Sequence, residues 1–148
     1  GRLGPGRIHH CMRAIGMAEH ALELAIKRGL ERNAFGKPIM ELGGNKERIA
    51  QARMSIEQAR LLTLQAAWKI DNLGVKNAMV DISAMKVVVP NMLESVVDMA
   101  VQIHGGGGMC NDFPLARFAA GARMLRLADG PDEVHMAMVS RLELRKYK

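Results

Sequence analysis

At 148 residues the chain is one ordinary domain, long enough to bury a real core. Hydrophobic residues make up 49% of it and aromatic ones only 3%, with twelve methionines. A core of Leu, Ile, Val, Met and Ala points to helix packing, since strand-rich domains lean on β-branched and aromatic side chains. No apolar run approaches the roughly 18 residues a membrane span needs, and no signal-peptide pattern opens the chain. The net charge of +6 suits phosphate-bearing partners. Nucleic acid is a poor match, because the charges are scattered and stacking aromatics are nearly absent.

Cys11 and Cys110 do not make a disulfide framework, which points to a reducing compartment. The chain opens on Gly1 rather than Met and reads as a piece of a longer protein.

Gly1 to Gly6 is expected to be an opening loop carrying Arg2, with Arg7 just after it. From Ile8 the apolar positions Cys11, Ile15, Ala18, Leu22, Ala25/Ile26 and Gly29/Leu30 predict a helix of roughly seven turns. It ends near Asn33, because Phe35-Gly36-Lys37-Pro38 cannot continue it. After Gly43-Gly44-Asn45 a second helix places Ile49, Ala52, Ile56, Ala59, Ala66, Ile70 and Leu73 on a seven-residue repeat, as in a bundle seam, and stops at Gly74.

The third helix carries Ile82, Met85, Val89, Leu93, Val96, Ala100 and Ile103 on one face. Pro90 interrupts it at a cost of about 3 kcal/mol or a kink. The alternative at Val87-Val88-Val89 is a strand. Gly105-Gly106-Gly107-Gly108 stops that helix, and Asn111-Asp112-Phe113-Pro114 starts a short one to about Leu125. A last helix starts with Pro131 at its first position and runs to a basic tail of Arg145, Lys146 and Lys148. The expected fold is all-α: an up-down four-helix bundle with one additional short helix.

Three stretches bear on chemistry. Before the last helix, Asp129-Gly130-Pro131-Asp132-Glu133 reads locally as a helix start. Acidic residues suit the first turn, and a short polar side chain at or before the N-cap usually accepts a backbone N–H. The sharper alternative makes Asp129 a carboxylate set against a reacting carbon. Four glycines are more than a helix terminator needs, and such a run lets backbone N–H groups approach an anion, with the Gln102 amide nearby. Arg32 is either a cation at a helix C-terminus or a planar fork for a diphosphate, with Phe35 as apolar cover. His9-His10-Cys11 is not a metal site, since neighbours on a helix point about 100° apart. Neither a Cys-x-x-Cys, a P-loop nor a Gly-x-Ser-x-Gly occurs, and no metal is expected.

Together these stretches resemble the C-terminal helical domain of acyl-CoA dehydrogenases, over essentially the whole chain. Arg32-Asn33-Ala34-Phe35-Gly36-Lys37-Pro38 resembles the family's Arg-x-x-Phe-Gly-Lys segment. Gln102-Ile103-His104-Gly105-Gly106-Gly107-Gly108 is similar to its Gln-Ile-x-Gly-Gly-x-Gly loop. Leu127-Ala128-Asp129-Gly130 stands at the Tyr-Glu-Gly catalytic segment, in the form of a branch that uses Asp in place of Glu.

The resemblance implies a flavin-dependent dehydrogenation of a fatty acyl-CoA, in which a carboxylate takes the α-proton and hydride leaves the β-carbon for the flavin. Asp129 would be the base. Its backbone N–H would help hold the thioester carbonyl. Gly4, Pro5, Gly6 and Arg7, with Gly130, would meet substrate, and Pro131, Asp132 and Glu133 would lie along the FAD. Arg32, Phe35, Gln102, Ile103, His104, Gly105 and Gly106 would hold the FAD of a neighbouring subunit.

Some relatives carry the base on the first helix, where this chain has Gly6, which has no carboxylate. Asp is one methylene shorter than Glu. Ala128 replaces an aromatic and implies a wider pocket, and the family's His-Gln flavin contacts fall at Leu42-Gly43 and are lost.

The implied partners are acyl-CoA, further copies of the chain in a dimer or tetramer, and an electron-transfer flavoprotein or other acceptor. The implied compartment is the mitochondrial matrix in a eukaryote or the cytoplasm in a bacterium. Because the family's flavin site also needs an N-terminal helical and a middle β domain, this chain alone is expected to be colourless and inactive. The alternative is a non-catalytic, oligomerising bundle of the same fold.

Overall fold

The computed structural model describes residues 3–148, with side chains from Gly4 onward; Gly1 and Arg2 of the expected opening loop lie outside the described residues. Five α-helices follow in order: α1 (Leu3–Glu31), α2 (Asn45–Leu73), α3 (Met79–His104), α4 (Leu115–Leu125) and α5 (Asp132–Leu144). No described helix is long and apolar enough to cross a membrane.

The first helix begins earlier than its sequence suggests. Gly4 to Gly6 are helical, not loop, because Pro5 falls in the first turn, where an N–H has no intrahelical acceptor to lose. A stripe of wholly buried alanines, Ala14, Ala18, Ala21 and Ala25, runs along α1. Side chains this small let α1 lie close against its neighbours, and larger groups such as Leu22, Ile82, Met85 and Leu93 fill the remaining core.

α1 and α3 run parallel, Gly4 lying against Ile82 and the Cys11 thiol donating to the Met85 carbonyl at 3.6 Å. α2 runs antiparallel to both and packs against each. Its middle is tied to α1 by Arg53 and Arg60 on Glu19, and its end to α3 by Lys69 on Asp81 at 2.8 Å. The α2 seam is Ala52, Ile56, Ala59, Thr63 and Ala66. Leu73, expected on it, is exposed, as the stripe ends before the helix does.

Pro90 is tolerated inside α3 without a strand at Val87–Val89. The proline leaves the Lys86 carbonyl without its helical N–H, and the Asn91 side-chain amide bonds the neighbouring Val87 carbonyl at 2.7 Å.

After α1 the chain makes a two-residue hairpin that the sequence reading lacked, β1 (Asn33–Ala34) pairing antiparallel with β2 (Lys37–Pro38). Its turn residues Phe35 and Gly36 have φ of 52° and 80°, as a type I′ turn requires. After α3 the glycines form a 3₁₀ turn, Gly105–Met109, and α4 starts at Leu115 rather than Asn111. Pro131 is the N-cap of α5, one residue before the helix. At the other end Arg145–Tyr147 close the chain in a 3₁₀ turn.

Candidate functional site

The α4–α5 connection folds over the first third of α1 and α3, and Asp129 is its pivot. Asp129 has φ of 56°, and Gly130 follows at φ of 104°. Only a short polar residue visits the left-handed region at modest cost, and a Cβ on Gly130 would stand 3.0 Å from His135 Nε2. Holding Asp129 there costs of order 1–3 kcal/mol, whereas glycine adopts a positive φ at little cost.

Three cationic or basic side chains hold the strained turn. Arg7 Nε and Nη2 donate to the Asp129 carbonyl oxygen at 3.2 and 3.0 Å. His135 Nε2 reaches the same oxygen at 3.2 Å, which requires its Nε2–H form. Lys86, wholly buried on α3, donates to the Leu125 carbonyl and at 3.4 Å to that of Gly130, bracketing the turn.

Burial pulls the Lys86 ammonium below its ordinary pKa, against the opposing pull of Cys11, Asp132 and Asp129. Burial likewise lowers His135, helped by the Arg7 charge. Burial pushes the Cys11 thiol up to about 12, so this cysteine is inert at neutral pH.

The Asp129 side chain does not cap α5, contrary to the simplest local reading, and the Pro131 N-cap position makes no side-chain cap bond. It points to α1 instead: Oδ2 lies 3.3 Å from His10 Nε2, and a Cβ on Gly6 would meet it at 3.9 Å. Gly6 thus lies in van der Waals range of this carboxylate. Among the described residues the Asp129 N–H has no backbone acceptor.

Of the expected substrate contacts, Gly6, Arg7 and Gly130 gather around Asp129. Gly4 packs against Val75 and Ile82 in the core, and Pro5 is exposed. His10 was missed as a site residue; the signal was its three-residue spacing from Arg7, which puts both on one helix face. Lys86 was missed too, although a lysine on the stripe of Ile82 and Val89 is an anomaly that asks for partners.

Beside His10 a cleft of about 310 Å³ opens between α1 and α4, lined by Arg13, Met17, Arg117, Phe118, Met124 and Leu125.

Asp132 and Glu133 part company. The Asp132 carboxylate is buried and tied to Arg126 Nε at 2.8 Å and to the Asn91 amide at 3.2 Å, while Glu133 is exposed. Those two partners outweigh burial and hold the Asp132 carboxyl below the usual range.

The other expected group sits elsewhere. The stretch of α3 from Lys86 to His104 is about 27 Å long at 1.5 Å per residue, and α1 ends alongside it. Arg32, Phe35, Gln102, Gly105 and Gly106 are therefore at the end of the bundle remote from Asp129. All five are exposed, Phe35 at 95%, and Gly105 (φ 62°) and Gly106 have open space where a Cβ would be. This accessible cation, amide and glycine backbone suits a flavin's diphosphate.

The side chains of Ile103 and His104 are buried. His104 bonds the Ala100 carbonyl at 2.8 Å and packs edge-on against Phe113 at 4.6 Å, leaving only backbone to offer a ligand. Gly108 answers to packing, since a Cβ would stand 2.9 Å from Val101 Cα.

A family profile described as acyl-CoA dehydrogenase, C-terminal domain, matches residues 1–144. The chain is 54% identical over 145 residues to acyl-CoA dehydrogenase family member 10 of Mus musculus, covering 98% of this chain and 14% of that protein. A solved structure described as an acyl-CoA dehydrogenase from Mycobacterium abscessus superposes with a TM-score of 0.98 at 62% identity, over 100% of this chain and 36% of that one. The glutaryl-coenzyme A dehydrogenase in complex with glutaryl-CoA gives a TM-score of 0.88 at 30% identity, over 96% and 36%. The chain thus spans well under half the length of these relatives. With its sequence and its helical bundle both matched, the chain belongs to the acyl-CoA dehydrogenase family, as the C-terminal domain.

Proposed function

We propose that this domain supplies the general base of an enzyme that dehydrogenates acyl-CoA thioesters between the α and β carbons, with Asp129 taking the α-proton. The observation that carries the reading is the turn itself. A strained aspartate is pinned by its carbonyl oxygen to Arg7, its carboxylate lies beside Gly6, and its N–H has no backbone partner among the described residues.

The chemistry follows from these atoms. The α-proton of a thioester is weakly acidic, so its removal needs a carboxylate in reach and a donor at the carbonyl oxygen, where negative charge develops. Asp129 offers both, an Oδ for the proton and its N–H for the oxygen. Family members are FAD-dependent, and bound FAD supplies the acceptor for the β-hydride. Arg32, Phe35, Gln102, Gly105 and Gly106 would hold the diphosphate end of an FAD. Their separation from Asp129 supports a division of labour in which that FAD serves a neighbouring subunit. Electrons would leave to an electron-transfer flavoprotein or another acceptor.

Assembly is part of the same reading. Met54, Leu61, Leu64 and Trp68 are exposed along α2 at helical spacing, an apolar stripe that a further copy in a dimer or tetramer would cover. This stripe also favours the second reading, a bundle that assembles without catalysis.

The test is Asp129→Asn in the complete enzyme. The expected result is lost turnover on acyl-CoA with flavin still bound. Undiminished turnover would leave only the assembly role.

A further inference from the structure

We propose, resting on the assignment of Asp129 as base, that His10 is its positioning residue: the Nε2–H of His10 holds Asp129 Oδ2, leaving Oδ1 to take the α-proton.

His10 Nε2 stands 3.3 Å from Oδ2 without the alignment of a formed hydrogen bond, as catalytic contacts often do before substrate is bound and tighten afterwards. The other ring nitrogen bears on which atom carries the hydrogen. Nδ1 is buried without a partner. A hydrogen there would be an orphaned buried donor, costing about 1–3 kcal/mol, while on Nε2 it faces a carboxylate oxygen that accepts it.

The surrounding charges are already committed elsewhere. Arg7 and His135 bond the Asp129 carbonyl, and Lys86 bonds the carbonyls of Leu125 and Gly130. Arg13 and Arg117 flank the neighbouring cleft, and the His9 ring lies 6.1 Å away on the same helix. Among the described residues His10 is thus the polar side chain that faces the carboxylate.

An aspartate needs such a holder. Rotation about its last side-chain bond is broad and two-fold, so a free carboxylate presents either oxygen at many angles. An N–H donor on one oxygen narrows that spread and leaves the other oxygen free.

The experiment compares His10→Phe, His10→Gln and Asp129→Asn in the complete enzyme, following kcat and KM separately. His10→Phe is expected to lower kcat roughly 10- to 100-fold with KM little changed, as misplacement of a reacting group does. His10→Gln keeps an N–H donor, so it should recover much of kcat, which a packing role alone would not. If Asp129→Asn is dead while His10→Phe turns over like the parent, the inference fails and the base assignment stands. Equal losses in both His10 variants would reduce His10 to packing and also overturn it. Turnover by Asp129→Asn would remove the base on which the inference rests.

Discussion

Arg7, in the second turn of α1, donates two hydrogen bonds to the carbonyl oxygen of Asp129, 122 residues further along the chain. A guanidinium is suited to this because its donors are fixed in a planar fork, so the Asp129 backbone cannot pivot about a single bond. Arg7→Lys keeps the charge and loses the fork. In the complete enzyme it should lower kcat/KM roughly 10- to 100-fold, with the thermal midpoint little changed. Parent-like kcat/KM in that variant would mean that the strained turn holds itself.

Lys86 is expected to matter for folding. Its ammonium satisfies the buried carbonyl of Leu125 and reaches that of Gly130, and methionine of similar length would fill the space without a donor. Lys86→Met should destabilise the domain by about 1–3 kcal/mol, the cost of orphaned buried acceptors. A denaturant titration measures this. A more stable variant would show that desolvating the ammonium costs more than its two carbonyls return.

His135 gives stability an acid-side pH dependence. Burial and Arg7 lower its pKa in the folded chain below the ordinary 6.5. Between the folded and unfolded values the unfolded chain binds more protons, so stability rises with pH there and falls as pH drops below about 6.5. Thermal midpoints across that range should show the slope, and His135→Gln should lessen it. A slope unchanged by the substitution would assign it to other groups.

The bundle was legible because its signals are periodic: α2 and α3 were expected close to their observed limits, and Gly74 and Gly105 end them as sequence suggests. The errors lie at helix starts and turns. Pro5 looked like a loop residue, yet a first turn has no use for its N–H. Phe35 and Gly36 read only as a helix stop, because a two-residue hairpin leaves no period to detect.

The site was legible in part. Asp129 and Arg7 carry motif resemblance, whereas His10 and Lys86 acquire meaning only from what the fold places beside them. The Asp129 side chain reads locally as a cap, and turns to His10 because its own backbone is in the left-handed region.

The measurement that tests the base most directly is exchange at the α-carbon of an acyl-CoA, with the complete enzyme in heavy water and the flavin held reduced so that no hydride leaves. Deuterium should enter the α position with the parent enzyme and fail to enter with Asp129→Asn. Equal incorporation by the two would contradict the account, because another group would then be removing the proton.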